Sequence, residues 1–84
     1  MSVYSFSEAD TKRRNWFVTP DSSAIVGFGY KKEKRVLTIE FKEGRGRYDY
    51  FNVPEAVFER MKAVPSKGVF FAENIRDVYR YARA

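Results

Sequence analysis

Alternating apolar and polar residues predict three consecutive β-strands in the centre of the chain. In the clearest strand, Leu37, Ile39 and Phe41 alternate with polar neighbours, which is the period of two that a half-buried strand shows. The predicted strands are residues 24–30, 37–42 and 47–52, and the polar turns between them are residues 31–34 and 43–46. Consecutive strands joined by short turns indicate an antiparallel meander.

The first predicted strand differs on its two faces. Val26, Phe28 and Tyr30 fall on one face, and Gly27 and Gly29 fall on the other. Glycine in a strand interior often marks a β-bulge or a place where another element lies close to the backbone. We expect one of these two features here.

Two helices are predicted after the strands. The first begins after Pro54, whose missing N–H costs nothing at a helix start, and it stops before Pro65. Within residues 55–63, its apolar stripe consists of Val57, Phe58 and Met61. The second helix begins with Ser66 as the N-cap. Its positions at three- and four-residue steps are Phe70, Phe71, Asn74, Ile75 and Val78, after which Tyr79-Arg80-Tyr81 also fits a strand.

These elements predict an α+β fold, with a three-stranded antiparallel meander followed by two helices packed on one face. Residues 1–20 show no sustained period, because a polar run separates their aromatic residues Tyr4, Phe6, Trp16 and Phe17. We interpret residues 1–20 as an N-terminal extension that docks through its aromatic side chains. Residues 21–84 then form the domain proper.

The composition favours binding over catalysis. The 84 residues include no histidine and no cysteine, so the chain lacks an imidazole base, a thiolate nucleophile and the usual zinc ligands. A serine nucleophile would need a lysine base and an oxyanion hole, which the sequence does not place. We expect no enzyme activity, no metal and no other cofactor. The lack of cysteine and of a bilayer-spanning apolar stretch predicts a soluble cytoplasmic protein.

Positive charge is concentrated in residues 31–47. The formal net charge of the chain is +5, and this segment holds seven cations against three anions, which leaves it four of the five net charges. Such a concentration suits a polyanionic partner. The alternative is that these lysines and glutamates solvate hairpin turns and protect strand edges.

Several short motifs follow one another in a recognisable order. They are Ser22-Ser23-x-Ile25, Gly29-Tyr30, Leu37-x-Ile39-x-Phe41 with Gly44, Tyr48-x-Tyr50, Val53-Pro54, Ser66-x-Gly68 and Ile75-Arg76-x-x-Tyr79-x-Tyr81. Together they resemble the KTSC domain, a family found at the C-terminus of some lysyl-tRNA synthetases and alone in small bacterial and phage proteins. The segment between Phe41 and Tyr48 is one residue longer than the usual pattern, near Arg45-Gly46.

The resemblance implies a role with RNA, because the family occurs within an enzyme that handles tRNA. Our first hypothesis is therefore a non-catalytic module that binds nucleic acid, with RNA as the expected partner. Tyr48 and Tyr50 would offer a stacking platform for unpaired bases. The alternative, which their alternation with polar residues favours, is that both tyrosines belong to the core. The residues expected to contact nucleic acid are Lys31, Lys32, Lys34, Arg45, Arg47, Tyr48, Tyr50, Lys67, Arg76 and Arg80.

A second hypothesis is a protein-interaction or inhibitor module, such as a small phage protein that occupies a host enzyme. Trp16 and Phe17 would be its hot spot for the partner protein. The sequence leaves the oligomeric state open.

A third hypothesis is capture of a small phosphorylated ligand. Ser66, Lys67 and Gly68 would supply a helix start with free N–H groups and a cation. If the second helix continued, Arg76, Arg80 and Arg83 would form a basic stripe beside this site. The alternative interpretation is that these arginines belong to a solvated helix face without a ligand.

Overall fold

The sheet has five strands, two more than the sequence pattern predicts. The computed structural model describes residues 16–84, in which the strands form one antiparallel sheet in the order β1-β2-β3-β4-β5. They are β1 (Trp16–Val18), β2 (Ile25–Lys31), β3 (Val36–Phe41), β4 (Gly46–Tyr50) and β5 (Tyr81–Arg83). The α+β class is confirmed, and β2, β3 and β4 form the predicted meander. The prediction of only three strands is wrong, because a short strand extends the sheet at each edge.

The first edge strand, β1, lies within the expected N-terminal extension. Its three residues pair with β2. The rest of that extension, residues 1–15 with Tyr4 and Phe6, lies outside the described residues.

Two helices cover one face of the sheet. Helix α1 (Glu55–Ala63) has the predicted bounds, and helix α2 (Lys67–Asn74) begins after Ser66, whose hydroxyl accepts a hydrogen bond from the Val69 N–H at 3.3 Å. The predicted N-cap is therefore confirmed. The core between the helices and the sheet consists of Ile25, Phe28, Tyr30, Leu37, Ile39, Tyr50, Val53, Phe58, Met61, Phe70, Phe71 and Ile75.

The pairing of β3 with β4 decides which face each residue of β4 occupies. The pairs are Tyr48 with Ile39, Tyr50 with Leu37, Arg47 with Glu40, and Asp49 with Thr38. Since side chains alternate along a strand, the two tyrosines share the helix-covered face, and Arg47 and Asp49 share the other. On that other face Thr38 Oγ1 donates a hydrogen bond to Asp49 Oδ1 at 2.7 Å, and both residues are buried.

A β-bulge in β2 changes which apolar side chain enters the core. Ile25 and Gly27 pair with two consecutive residues of β3, so Val26 is an extra residue in the ladder. Ile25 is fully buried, whereas Val26 is only partly buried. The prediction that Val26 shares a face with Phe28 is wrong, because the extra residue shifts the alternation of side chains by one.

The glycines of β2 also allow β1 to lie close to the sheet. A Cβ atom placed on Gly27 would lie 2.7 Å from Trp16 Nε1 and 2.9 Å from the backbone oxygen of Phe17. The ring of Phe17 packs on the helix-covered side, where its centroid lies 5.6 Å from that of Phe28. The prediction of a bulge or a close neighbour is confirmed, and both are present.

Helix α2 ends at Asn74, before the position the sequence pattern predicts. The Asn74 side-chain amide donates to the Phe70 carbonyl at 3.1 Å, and the N–H groups of Ile75 and Arg76 both donate to the Phe71 carbonyl at 3.0 Å. Two donors on one carbonyl end the regular ladder of the helix.

The chain after α2 turns back and adds β5 to the sheet. Val78, expected on the apolar stripe, is instead 62% exposed. Tyr81 begins β5, so the strand interpretation of this segment is confirmed there. The basic stripe of Arg76, Arg80 and Arg83 does not form, because no helix carries these residues.

Tyr50 is the most buried tyrosine of β4. Its exposed fraction is 4%, whereas Tyr48 is partly buried and packs against the core from its edge. Burial is the main cause that raises the pKa of Tyr50 from 10.0 to about 12, and the neighbouring hydroxyl groups of Tyr81 and Tyr48 add to the shift.

The contact between Gly27 and β1 predicts that Gly27→Ala destabilises the protein. The added methyl group must displace Trp16 or the β1 backbone, and overpacking of this kind costs roughly 1–3 kcal/mol. Urea unfolding, followed by Trp16 fluorescence, measures the loss. Gly68→Ala is the control, because its Cβ would lie 3.7 Å from Ala24 Cβ, an ordinary contact. Equal unfolding free energies for the two variants would contradict the packing argument.

The raised pKa of Tyr50 predicts a loss of stability at high pH. In the unfolded chain Tyr50 ionises near pH 10.0, but in the folded protein it stays neutral until about 12. Its contribution is therefore complete below the lower value and is lost as pH rises through this window. Urea unfolding across the window should show a steeper fall for the parent than for Tyr50→Phe, which has no hydroxyl to ionise. Parallel curves would refute the assignment.

Candidate nucleic-acid interface

A cavity of about 520 Å³ opens where β4, β5 and α2 meet. We call it the aromatic cavity, because five of its lining residues are aromatic. The lining consists of Phe41, Tyr48, Tyr50, Phe71 and Tyr81, the charged residues Arg45, Arg76 and Asp77, and the small residues Ala24, Gly68 and Ala72. The small side chains leave open the space that a larger residue would fill.

Three tyrosine rings lie side by side in the lining of the aromatic cavity: Tyr48 and Tyr50 of β4, and Tyr81 of β5. Tyr81 lies opposite Tyr50 in the sheet, and its ring centroid lies 5.6 Å from that of Tyr50 and 6.0 Å from that of Tyr48. Tyr48 also meets Phe41 edge to face at 5.8 Å. Neighbouring rings hold Tyr48 in place, while Tyr81 is 60% exposed and presents its ring to solvent.

Two arginines beside the aromatic cavity supply positive charge. Arg45 lies in the β3–β4 turn, where its Nη2 atom is 3.8 Å from Glu43 Oε1, and Arg76 Nε lies 3.6 Å from Asp77 Oδ2. All four side chains are well exposed. Exposed pairs of this length contribute little to stability, so the guanidinium groups can exchange their carboxylate partners for another anion.

The aromatic cavity collects four of the ten residues expected to contact nucleic acid: Arg45, Tyr48, Tyr50 and Arg76. The lysines 31, 32 and 34 lie instead at the β2–β3 turn, where Lys32 Nζ is 3.8 Å from Glu55 Oε1. Arg80 does not line the aromatic cavity; it lines a neighbouring depression that shares Arg76, Asp77 and Tyr81 with that cavity.

Arg47 lies on the face of the sheet away from the helices, and therefore away from the aromatic cavity. Its Nε atom donates to Glu40 Oε1 at 2.9 Å, and its guanidinium carbon lies 4.6 Å from the centre of the Trp16 ring. These contacts join β1, β3 and β4 across that face.

The Ser66-Lys67-Gly68 segment lies at a second cavity of about 660 Å³, between the start of α2 and the loop after β1. The Lys67 ammonium group donates to the backbone carbonyls of Val64 at 2.6 Å and Lys62 at 3.0 Å. Two of its three N–H donors thus satisfy carbonyls at the C-terminal end of α1.

Trp16 and Phe17, expected as a hot spot for a partner protein, are both partly buried within this chain. The Phe17 ring lies 5.7 Å from that of Phe58, and Trp16 lies over Gly27. Both rings therefore contribute to the packing of β1.

Two residues that line the aromatic cavity, Phe41 and Tyr81, are not among the site residues that the sequence predicts. The pattern identifies Phe41 only as a strand residue. Tyr81 falls in a segment that fits a helix or a strand, and only the strand brings it beside Tyr50. The spacing Tyr79-x-Tyr81 is the signal that favours the strand. Arg83, expected in a basic stripe with Arg76 and Arg80, lies in β5 opposite Tyr48.

Two absences apply to the described part of the chain. Residues 16–84 contain no group of three or more aspartate, glutamate, histidine or cysteine side chains arranged to hold a metal ion. Within the same residues, each helix is too short and too polar to cross a bilayer.

Part of the chain is similar to lysine–tRNA ligases. The ligases of Nostoc punctiforme, a second Nostoc species and Trichormus variabilis are 39%, 37% and 37% identical to it over 62 residues. That match covers 74% of the chain but only 11% of each ligase. The chain therefore corresponds to a small part of those relatives.

A solved structure has the same fold. The crystal structure of a KTSC domain protein from Yersinia pestis superimposes with a TM-score of 0.75 and 33% sequence identity, covering 82% of this chain and 97% of that one. The family model of the KTSC domain matches residues 21–79. With both the sequence match and the shared fold in place, the chain belongs to the KTSC domain family.

Proposed function

We propose that the protein is a non-catalytic module that binds single-stranded RNA through the aromatic cavity. One observation carries this proposal: the fold gathers exposed and half-buried tyrosine rings and two arginines, Arg45 and Arg76, around one opening. Unpaired bases stack on aromatic side chains, and arginines bind the phosphates that follow them.

The aromatic cavity suits one unstacked base better than a duplex. Its lining includes Tyr48 and Tyr81, whose ring centroids lie 6.0 Å apart, together with Arg45 and Arg76. A base in a duplex already stacks on its neighbours and cannot enter. Stacking tolerates any base because every base has a π-face, so we expect weak sequence preference.

The relatives support RNA as the partner class. The three similar ligases are named for joining lysine to tRNA, and this chain matches a small part of each. A binding module could serve such an enzyme by holding RNA near it, which is an argument from context.

The other two hypotheses have less support. A protein partner, including a host enzyme of a phage protein, would need Trp16 and Phe17, whose rings are engaged within the chain. A small phosphorylated ligand at Ser66-Lys67-Gly68 would compete with the carbonyls of Lys62 and Val64 for the Lys67 ammonium group. In the aromatic cavity, by contrast, Tyr81, Arg45 and Arg76 are exposed and accessible to a ligand.

The stacking step predicts that Tyr81→Ala weakens RNA binding without unfolding the protein. Loss of one base–aromatic contact costs about 1–3 kcal/mol, or roughly 5- to 150-fold in affinity. Because Tyr81 is 60% exposed, its thermal melt should stay close to that of the parent. Fluorescence anisotropy with a labelled oligouridylate measures the affinity. Tyr81→Phe keeps the ring and should bind like the parent, and an unchanged affinity for Tyr81→Ala would refute stacking.

The phosphate step predicts a salt dependence that is local to the aromatic cavity. Arg45→Ala and Arg76→Ala should each flatten the slope of log K against log salt by about 0.7 for a single strand. Arg80→Ala is the control for net charge, because Arg80 does not line this cavity. The same titrations with duplex RNA should show weaker binding. If the parent fails to bind the single strand even at low salt, the RNA proposal is wrong.

A further inference from the structure

The guanidinium group of Arg83 lies beside Gly46, the first residue of β4. A Cβ atom placed on Gly46 would be 3.2 Å from Arg83 Nη2, 3.6 Å from Nε and 3.7 Å from the guanidinium carbon. The first of these distances is tight, so a side chain at position 46 would require the guanidinium group to shift.

The requirement for glycine here differs from that at the other glycine of the same turn. Gly44 and Gly46 both have positive φ, +69° and +87°, which favours glycine for backbone reasons alone. A Cβ on Gly44, however, would meet nothing within 4 Å. The two positions share the conformational requirement, but only Gly46 has a neighbour to accommodate.

The same guanidinium group lies beside the aromatic cavity. Arg83 is opposite Tyr48 in the β4–β5 ladder, and its guanidinium carbon is 5.9 Å from the centre of the Tyr48 ring. The N–H of Ala84 donates to the Arg47 carbonyl at 2.9 Å and holds the strand end in place. Arg83 is exposed and forms no ion pair with any residue of 16–84.

We propose that Arg83 is a phosphate-binding residue of this interface, and that a single strand leaves the aromatic cavity across Tyr48 toward the β3–β4 turn, with its next phosphate on Arg83. This inference rests on the proposed function. Tyr48 would lie between the bound base and the next phosphate, and Arg45 and Arg83 would lie on either side of Gly46.

The geometry explains why this arginine suits the task. Contacts with Gly46 and Tyr48 restrict the guanidinium group before any ligand arrives, so binding a phosphate costs less side-chain entropy. The planar group keeps its outward N–H donors available for phosphate oxygens. Arg80, which is also exposed, has no such support in the same strand, because it precedes β5.

The first test compares ligands of different length. We would titrate Arg83→Ala with an oligouridylate of about ten nucleotides, within the usual site size of such modules, and with uridine 5′-monophosphate. Affinity for the oligonucleotide should fall by about 3- to 10-fold and its salt slope should flatten by about 0.7. Affinity for the mononucleotide should not change, because it has no next phosphate. Arg80→Ala should match the parent with both ligands.

The second test is a double-mutant cycle that uses the two glycines as a matched pair. Gly46→Asn places a Cβ against Arg83, whereas Gly44→Asn places one in open space at a similar backbone conformation. Asparagine tolerates positive φ better than other residues with a side chain. Gly46→Asn should weaken oligonucleotide binding, by no more than Arg83→Ala does, and it should add nothing in the Arg83→Ala background. Gly44→Asn should bind like the parent, and thermal melts confirm folding.

The outcomes separate the two proposals. If the parent binds the oligonucleotide but Arg83→Ala binds it equally well, the path over Tyr48 is wrong and the proposed function stands. An equal loss for mononucleotide and oligonucleotide would also overturn the path, because Arg83 would then act inside the aromatic cavity. If the parent binds neither ligand, the proposed function fails and this inference fails with it.

Discussion

The register between β3 and β4 is the constraint on which the rest of the structure depends. Side chains alternate along a strand, so one register places both tyrosines of β4 under the helices and Arg47 and Asp49 on the opposite face. Two contacts on that opposite face hold the register: the buried hydrogen bond between Thr38 and Asp49, and the ion pair of Arg47 with Glu40. A slip of one residue would break both contacts and place a carboxylate and a guanidinium against the core, which is costly. The aromatic cavity therefore depends on polar residues that do not line it.

The early end of α2 makes the aromatic cavity possible. Because the helix stops at Asn74, the chain can return along β4 and place Tyr81 beside the β4 tyrosines. A longer helix would keep Tyr81 away from the sheet, and the aromatic cavity would then lack this lining residue. The backbone of β5 is held by β4 alone within the described residues, and its side chains are exposed. Such an edge strand contributes little to the core, so substitutions of its exposed side chains should cost little stability.

The elements predicted correctly from the sequence are those with repeated local signals. Most of the meander β2–β4 shows alternation, and α1 is bounded by two prolines, so both can be recognised from the local sequence. The edge strands β1 and β5 have three residues each, too few for a period, and each exists because a neighbouring strand offers unpaired backbone groups. For the site, the sequence indicates tyrosines and arginines as candidates, but it does not show which of them lie on the same face of the sheet. Arg47 and Tyr48 are adjacent in the chain and lie on opposite faces, whereas Tyr48 and Tyr81 are distant in the chain and lie in contact.

If the proposed function holds, two features of the aromatic cavity would let a small basic domain discriminate among polyanions. Arg45 and Arg76 each have an exposed carboxylate nearby, which partly compensates their charge. A polyanion without an accessible aromatic or base face would gain only these partly compensated contacts. A single strand would gain stacking and phosphate contacts together, because Tyr81 lines the same cavity as the two arginines. On the proposed function, net charge would raise the encounter rate with any polyanion, and the ring geometry would determine which encounters persist.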